Sequence, residues 1–257
     1  MISHLGAAFR RLFTTRRSKF AVAVLIVLMA AIPVTEMLVL RLFSTLVVDG
    51  VNKYENLADA AGPVAVFLVA LGLARGAHHV VRFARVRVFR NAFEAGQRQK
   101  TPSQESWEWA MAFELSGVLI SLVQALAFGV LFLMLDWVTG ATNAVATVAV
   151  LIFVSYLFRH QLDAQRGYVA TGTRPGSVPI ATRLGDRIRA AELGSVVASM
   201  AMVLVLTVML LRTIVGAVST ADAIVMFLAL RLVAGQLGSL SAAVMRFARA
   251  SARRGEP

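Results

Sequence analysis

The chain has 257 residues, of which 58% are hydrophobic and only 16% charged, with 26 Lys plus Arg against 14 Asp plus Glu and a formal net charge of +12. A soluble domain carries about 25% charged residues; this composition cannot build a water-facing shell, and a mean hydropathy of +0.73 makes the bilayer the solvent for most of the surface. The positive charge does not point to nucleic acid, because the basic residues punctuate apolar runs instead of collecting on one soluble face, and the absence of cysteine excludes disulfides, thiolate metal sites and cysteine nucleophiles.

The first nineteen residues place Ile2, Leu5, Phe9, Leu12 and Phe13 on one helical face, with Arg10, Arg11, Arg16 and Arg17 elsewhere. That pattern predicts an amphipathic helix in the inner membrane interface, residues 1–19. The apolar stretch behind it is longer than a signal-peptide core and lacks a clear small-residue cleavage site, which disfavours a cleaved leader. Within residues 20–248, six stretches are long enough to cross about 30 Å of hydrocarbon. They are Phe20 to Leu42, Pro63 to Val88, Leu115 to Leu135, Ala141 to Phe158, Leu193 to Leu211 and Ala223 to Phe247, spans 1 to 6. The predicted fold class is all-α: a polytopic membrane protein of six transmembrane helices in one domain, with a short cytoplasmic tail at residues 249–257.

Arginine sets the orientation. Arg10, Arg11, Arg16, Arg17 and Lys19 precede span 1, and Arg82, Arg85, Arg87, Arg90, Arg98 and Lys100 gather at and beyond the end of span 2. Arg159, Arg166, Arg174, Arg183, Arg187 and Arg189 fill the connection between spans 4 and 5, and Arg246, Arg249, Arg253 and Arg254 close the sequence. The opposite side keeps Lys53, with Arg41 and Arg212 at span ends. The positive-inside rule then places N- and C-termini in the cytoplasm of a multi-pass cell (inner) membrane protein. Outside lie the loop Ser44 to Gly62 and two short turns, Asp136 to Gly140 and Gly216 to Asp222, which make antiparallel hairpins of spans 3 and 4 and of spans 5 and 6. Inside, Gln99 to Trp109 predicts a turn at Pro102, an N-cap at Ser103 and a short surface helix whose Trp107 and Trp109 seek the interface or a partner. Gly167 to Pro179 predicts a loop.

The densest functional candidate is in span 2, where Arg75, His78, His79, Arg82 and Arg85 recur at three- and four-residue spacing and share one broad helix face. Two readings fit this cationic stripe. It attracts an anionic substrate or lipid headgroup from a cavity, or its arginines snorkel to the inner interface and simply follow the positive-inside rule. The histidines lack metal-ligand company, His4 and His160 being the only others, so neither a metal nor a cofactor is expected. Glu36, three residues after Pro33, and Arg231, nine residues beyond Asp222, fall at similar depth by helical rise, which predicts an intramembrane ion pair inside the bundle. Ser116, Ser121, Gln124 and Asn143 are expected to bond across helices. Ala234, Gly235, Gly238, Ser239, Ser241 and Ala242 permit close contact with another span or a second copy. No Ser/His/Asp constellation, carboxylate pair or His-Glu-x-x-His signature is present, so no enzymatic activity is expected.

Span 6, from Thr220 through Val244 and on to Arg249-Ala250-Ser251-Ala252-Arg253-Arg254, resembles the sixth membrane helix of ABC exporter transmembrane domains, which runs into the cytoplasm with Arg-Ala-x-Ala-x-Arg. The interfacial N-terminal helix, the six spans and the polar end of span 1 at Val47-Val48-Asp49-Gly50-Val51 extend the resemblance over the whole topology. In that family the connections between spans 2 and 3 and between spans 4 and 5 are long helical extensions that dock on an ATPase. Here Phe89 to Glu114 and Arg159 to Glu192 are too short for full extensions. No phosphate loop is present, since Gly172 to Gly176 has neither the spacing nor the lysine. The resemblance implies a permease-type subunit, oligomeric, surrounded by membrane lipids and served by a separately encoded ATPase. The alternative is an exporter-derived scaffold that positions another membrane complex without transporting.

Overall fold

The computed structural model describes residues 1–48, 50–54, 56–94, 102–171 and 178–252. Among these residues there are eight helices: α1 Ile2–Leu12, α2 Arg16–Val48, α3 Gly50–Lys53, α4 Leu57–Glu94, α5 Pro102–Leu135, α6 Trp137–Thr171, α7 Ile180–Ile214 and α8 Thr220–Ala252. Six of them are long and apolar enough to cross a membrane, and they contain spans 1 to 6 in order. The chain is a polytopic all-α membrane protein.

Each of the six is longer than its apolar core. They run for 33 to 38 residues, about 50 to 57 Å at helical rise, against about 30 Å of hydrocarbon. The surplus revises the expected connections. Pro102 is the first residue of α5, so Ser103 lies inside the first turn instead of capping it, and Trp107 and Trp109 belong to one long helix and not to a separate surface helix. Proline suits that position because its missing N–H would have no partner there. Helix α6 continues to Thr171, so the first part of the expected Gly167 to Pro179 loop is helical. Gly172 to Gly176, Arg174, Arg98, Lys100, Asp49, Arg253 and Arg254 lie outside the described residues.

The two hairpins at the other end are tighter than expected. Only Asp136 separates α5 from α6: its backbone N–H donates to the Phe132 carbonyl at 2.9 Å, closing α5, and the Gly140 N–H donates to the Asp136 carbonyl at 2.8 Å, opening α6. A Cβ at Gly140 would meet the Leu133 nitrogen at 2.5 Å, so only glycine lets the two helices turn this closely. Two residues past the end of α7, Gly216, whose φ of +73° carries the left-handed turn, leads into Ala217, whose N–H returns to the Arg212 carbonyl at 3.0 Å. Ser219 caps α8 by accepting from Asp222 N–H at 3.1 Å.

Helix α8 is the centre of the bundle, packing against α2, α5, α6 and α7. Phe128 and Phe132 of α5, Val150, Val154 and Phe158 of α6, and Met226, Leu240, Met245 and Phe247 of α8 are fully buried among them. Helix α4 is different: it packs substantially only against α2, and no residue of its most apolar stretch is buried. At the arginine-rich end, α1 folds across the bundle and buries Leu5, Leu12 and Phe13 in protein, leaving Ile2 77% exposed. Phe13 meets Phe89 at 6.2 Å and Phe89 meets Phe113 at 5.6 Å, tying α1, α4 and α5 together there.

Candidate functional site: the cationic face of α4

Helix α4 is antiparallel to α2, with Phe67 against Phe43 at 5.7 Å and Arg75 against Glu36 further in. Steps of 100° per residue place Arg75, His79 and Arg82 on its outward arc, where all three are exposed. His78 and Arg85, seven residues apart, form the half-buried inner edge of the same arc. The five candidate residues therefore do share a broad face, divided into an open side and a protein-facing side.

Glu36 joins this face from α2. Arg75 Nη1 donates to Glu36 Oε1 at 3.3 Å, and His78 Nδ1 lies 3.5 Å from the same oxygen. Lower down, the Arg85 guanidinium lies 4.8 Å from the centre of the Phe113 ring, a cation–π contact, with its Nε buried and without a hydrogen bond. The expected Glu36–Arg231 pair is not formed, and the register explains why. Arg41 Nε bonds Asp222 Oδ1 at 2.7 Å, which aligns antiparallel α2 and α8. Five residues inward from each partner, Glu36 comes level with Phe227, while Arg231 lies four residues deeper, about 6 Å at helical rise. Arg231 is exposed on α8, level with His79 by the same count, and forms no salt bridge among the described residues.

The stripe from Arg75 to Arg85 occupies the second half of the span Pro63 to Val88 of α4. Glu36 is the one carboxylate at these depths; the other acidic residues of the helices sit near or beyond the span ends. Among the described residues no three His, Asp or Glu side chains gather as a metal site.

Several interactions were not foreseen. Asp136, side chain 4% exposed, bonds Arg212 Nη2 at 2.7 Å and accepts Thr139 N–H at 2.9 Å and Thr139 Oγ1–H at 2.6 Å. Hydrogen bonds from Arg212 lower its pKa most; burial opposes them, Thr139 reinforces them, and the carboxyl is held at about 2. The sequence signal was an aspartate three residues before a threonine at a helix start. At the opposite end Arg246 Nε grips Glu114 at 2.8 Å.

The small residues of α8 act within the chain. Ser241 Oγ donates to the Ala191 carbonyl at 3.0 Å and sits where a Cβ of Gly194 would be, and Gly238 accommodates Ser195. Gly235 and Ser239 remain exposed. Of the polar groups expected to bond across helices, Ser121 reaches Gln236 Oε1 at 3.5 Å, whereas Ser116 donates to Phe113 of its own helix. Gln124 Nε2 and both amide atoms of Asn143 are buried without a protein partner. Trp107 and Trp109 are partly buried against the core of this chain. No protein-family model and no curated protein matches the sequence.

Proposed function

We propose that the chain is a permease-type subunit of an ABC exporter-like assembly in the cell (inner) membrane, working as an oligomer with a separately encoded ATPase. The observation that carries this reading is the exposed side of α4, where Arg75, His79 and Arg82 stand on a membrane-spanning helix, with Arg231 exposed on α8 at a similar helical level. A guanidinium facing hydrocarbon costs about 3 kcal/mol. Such a face is stable where it lines water or meets an anion. Because Glu36 is the one carboxylate at that depth and is already held by Arg75, a second copy brings no free acid to neutralise it. The face suits a route for a negatively charged substrate, bounded by neighbouring subunits. Mild solubilisation of native membranes should recover an ATPase chain with nucleotide-binding motifs; its consistent absence sinks this reading.

The alternative, a non-transporting scaffold, draws support from the packing of α8 against α2, α5, α6 and α7, with large apolar side chains fully buried among them. Single cysteines at Arg75, His79 and Arg231, probed in membranes with a charged thiol reagent, separate the two. Rapid modification supports a water-lined route, and protection at all three positions supports a protein-covered scaffold face.

A further inference from the structure

At the arginine-rich end of the bundle, an open pocket of about 390 Å³ lies between α6, α7 and α8, lined by Gln165 and Tyr168, by Arg183, Leu184 and Arg187, and by Arg249. Some of its polar groups are occupied within the α6–α7 hairpin. Tyr168 donates its hydroxyl to Asp186 Oδ2 at 2.9 Å. Arg183 Nε donates to the Val178 carbonyl at 2.7 Å, with its guanidinium 5.3 Å from the Tyr168 ring centre. The adjoining Arg246 is held by Glu114.

Three groups have no such attachment. Arg187 is half-buried and Arg249 exposed, and among the described residues neither forms a salt bridge or side-chain hydrogen bond. Gln165 is 7% exposed and likewise has no hydrogen-bond partner among the described residues, while one turn nearer the membrane Gln161 Nε2 is buried and unpaired there. Two guanidinium groups and a buried amide thus face one open volume as donors without an acceptor. Planar guanidinium forks match the paired oxygens of a phosphate, and two arginines with an amide can engage three of them.

Depth identifies where such a group would come from. Asp136–Arg212 marks one end of the membrane-spanning region. From there Arg187 is 25 residues along α7 and Gln165 is 29 residues along α6, about 37 and 43 Å of helix. A hydrocarbon core of about 30 Å grows to about 40–45 Å with its headgroups. The pocket opens in the headgroup layer of the arginine-rich side, and basic pockets between helices at this level suit anionic headgroups.

We propose that this pocket binds a phosphate-bearing anion through Arg187, Arg249 and Gln165, supplied either by an acidic phospholipid of the adjacent leaflet or by free phosphate. The test uses the full chain, stripped of lipid in detergent. One arm measures binding to phosphatidylglycerol and phosphatidylcholine in nanodiscs, and the other titrates inorganic phosphate. Arg187→Gln and Arg249→Gln should each weaken binding about tenfold or more, the worth of a hydrogen bond to a charged group. Arg189→Gln, an equal loss of charge on exposed α7 outside the pocket, should leave it unchanged. If Arg187→Gln, at the half-buried position, fails to fold, Arg249→Gln at the exposed rim is read alone. Preference for phosphatidylglycerol without a phosphate response assigns the lipid, and an arginine-dependent phosphate response without lipid preference assigns the free anion. Equal binding of both lipids with no phosphate response, or an equal loss from Arg189→Gln, overturns the proposal.

Discussion

Asp136 is the whole link between α5 and α6, and its carboxylate answers three donors: the Arg212 guanidinium and the N–H and hydroxyl of Thr139. A carboxyl held near 2, against 3.8 for the free group, contributes about 2 kcal/mol of stability. The unfolded chain takes up the proton first as pH falls, so this contribution is complete above about pH 4 and fades between pH 4 and 2. Asp136→Asn should lower the denaturation midpoint in detergent at pH 7 by an amount equivalent to about 2 kcal/mol, and should flatten the acid limb of the stability profile in that window; an unchanged acid limb would remove the carboxylate from this role. The second residue-scale prediction concerns Glu36. In a double-mutant cycle, Glu36→Gln and Arg75→Gln should couple by about 0.5–1 kcal/mol, while Glu36→Gln and Arg231→Gln should add within about 0.5 kcal/mol. The Arg75 side chain is 63% exposed, which keeps the expected coupling modest. Glu36 was legible as an intramembrane acid needing a cation, but its partner was not. Depths counted from the ends of apolar runs carry errors of a helical turn, and one turn separates the level of Glu36 from that of Arg231.

At the scale of elements, the α7–α8 contact depends on missing side chains. A Cβ at Gly194 would lie 2.1 Å from Ser241 Oγ, and Ser241 is fixed by its bond to the Ala191 carbonyl. Gly194→Ala must therefore displace that hydroxyl or separate the helices, at a cost of about 1–3 kcal/mol. Gly235→Ala, with nothing within 4 Å of the added carbon, should change stability by less than about 0.5 kcal/mol. Thermal melts of the two variants check this, and equal losses would contradict the packing described. The six apolar cores were readable because each needs only length and the absence of charge. Their continuation to Glu94, Pro102, Thr171 and Ile180 was not, because beyond the hydrocarbon a helix carries Arg, Gln and Glu like any solvated segment and the apolar signal ends. The cationic arc of α4 was visible from spacing alone. The pocket around Arg187 and Arg249 was not, since it joins three helices whose meeting no local pattern encodes.

For the whole molecule, sidedness is the first thing to measure, and the cysteine-free sequence makes it simple. Ala217→Cys, in the turn between α7 and α8, should react with a membrane-impermeant maleimide on intact cells. Arg166→Cys, exposed on the far extension of α6, should react only after permeabilisation. The reverse pattern would invert the orientation that the arginines imply. Sidedness also bears on how the bundle is made. Helix α8 is the element against which α2, α5, α6 and α7 all pack, and it is the last of the eight to leave the ribosome. At about 5–20 residues per second, its 33 residues arrive over a few seconds during which its four neighbours already occupy the bilayer without their common core. Helix α4 has its main neighbour, α2, from the moment it inserts. Assembly of the bundle therefore waits for α8, and a nascent chain arrested before Thr220 leaves α2, α5, α6 and α7 without the helix against which all four pack.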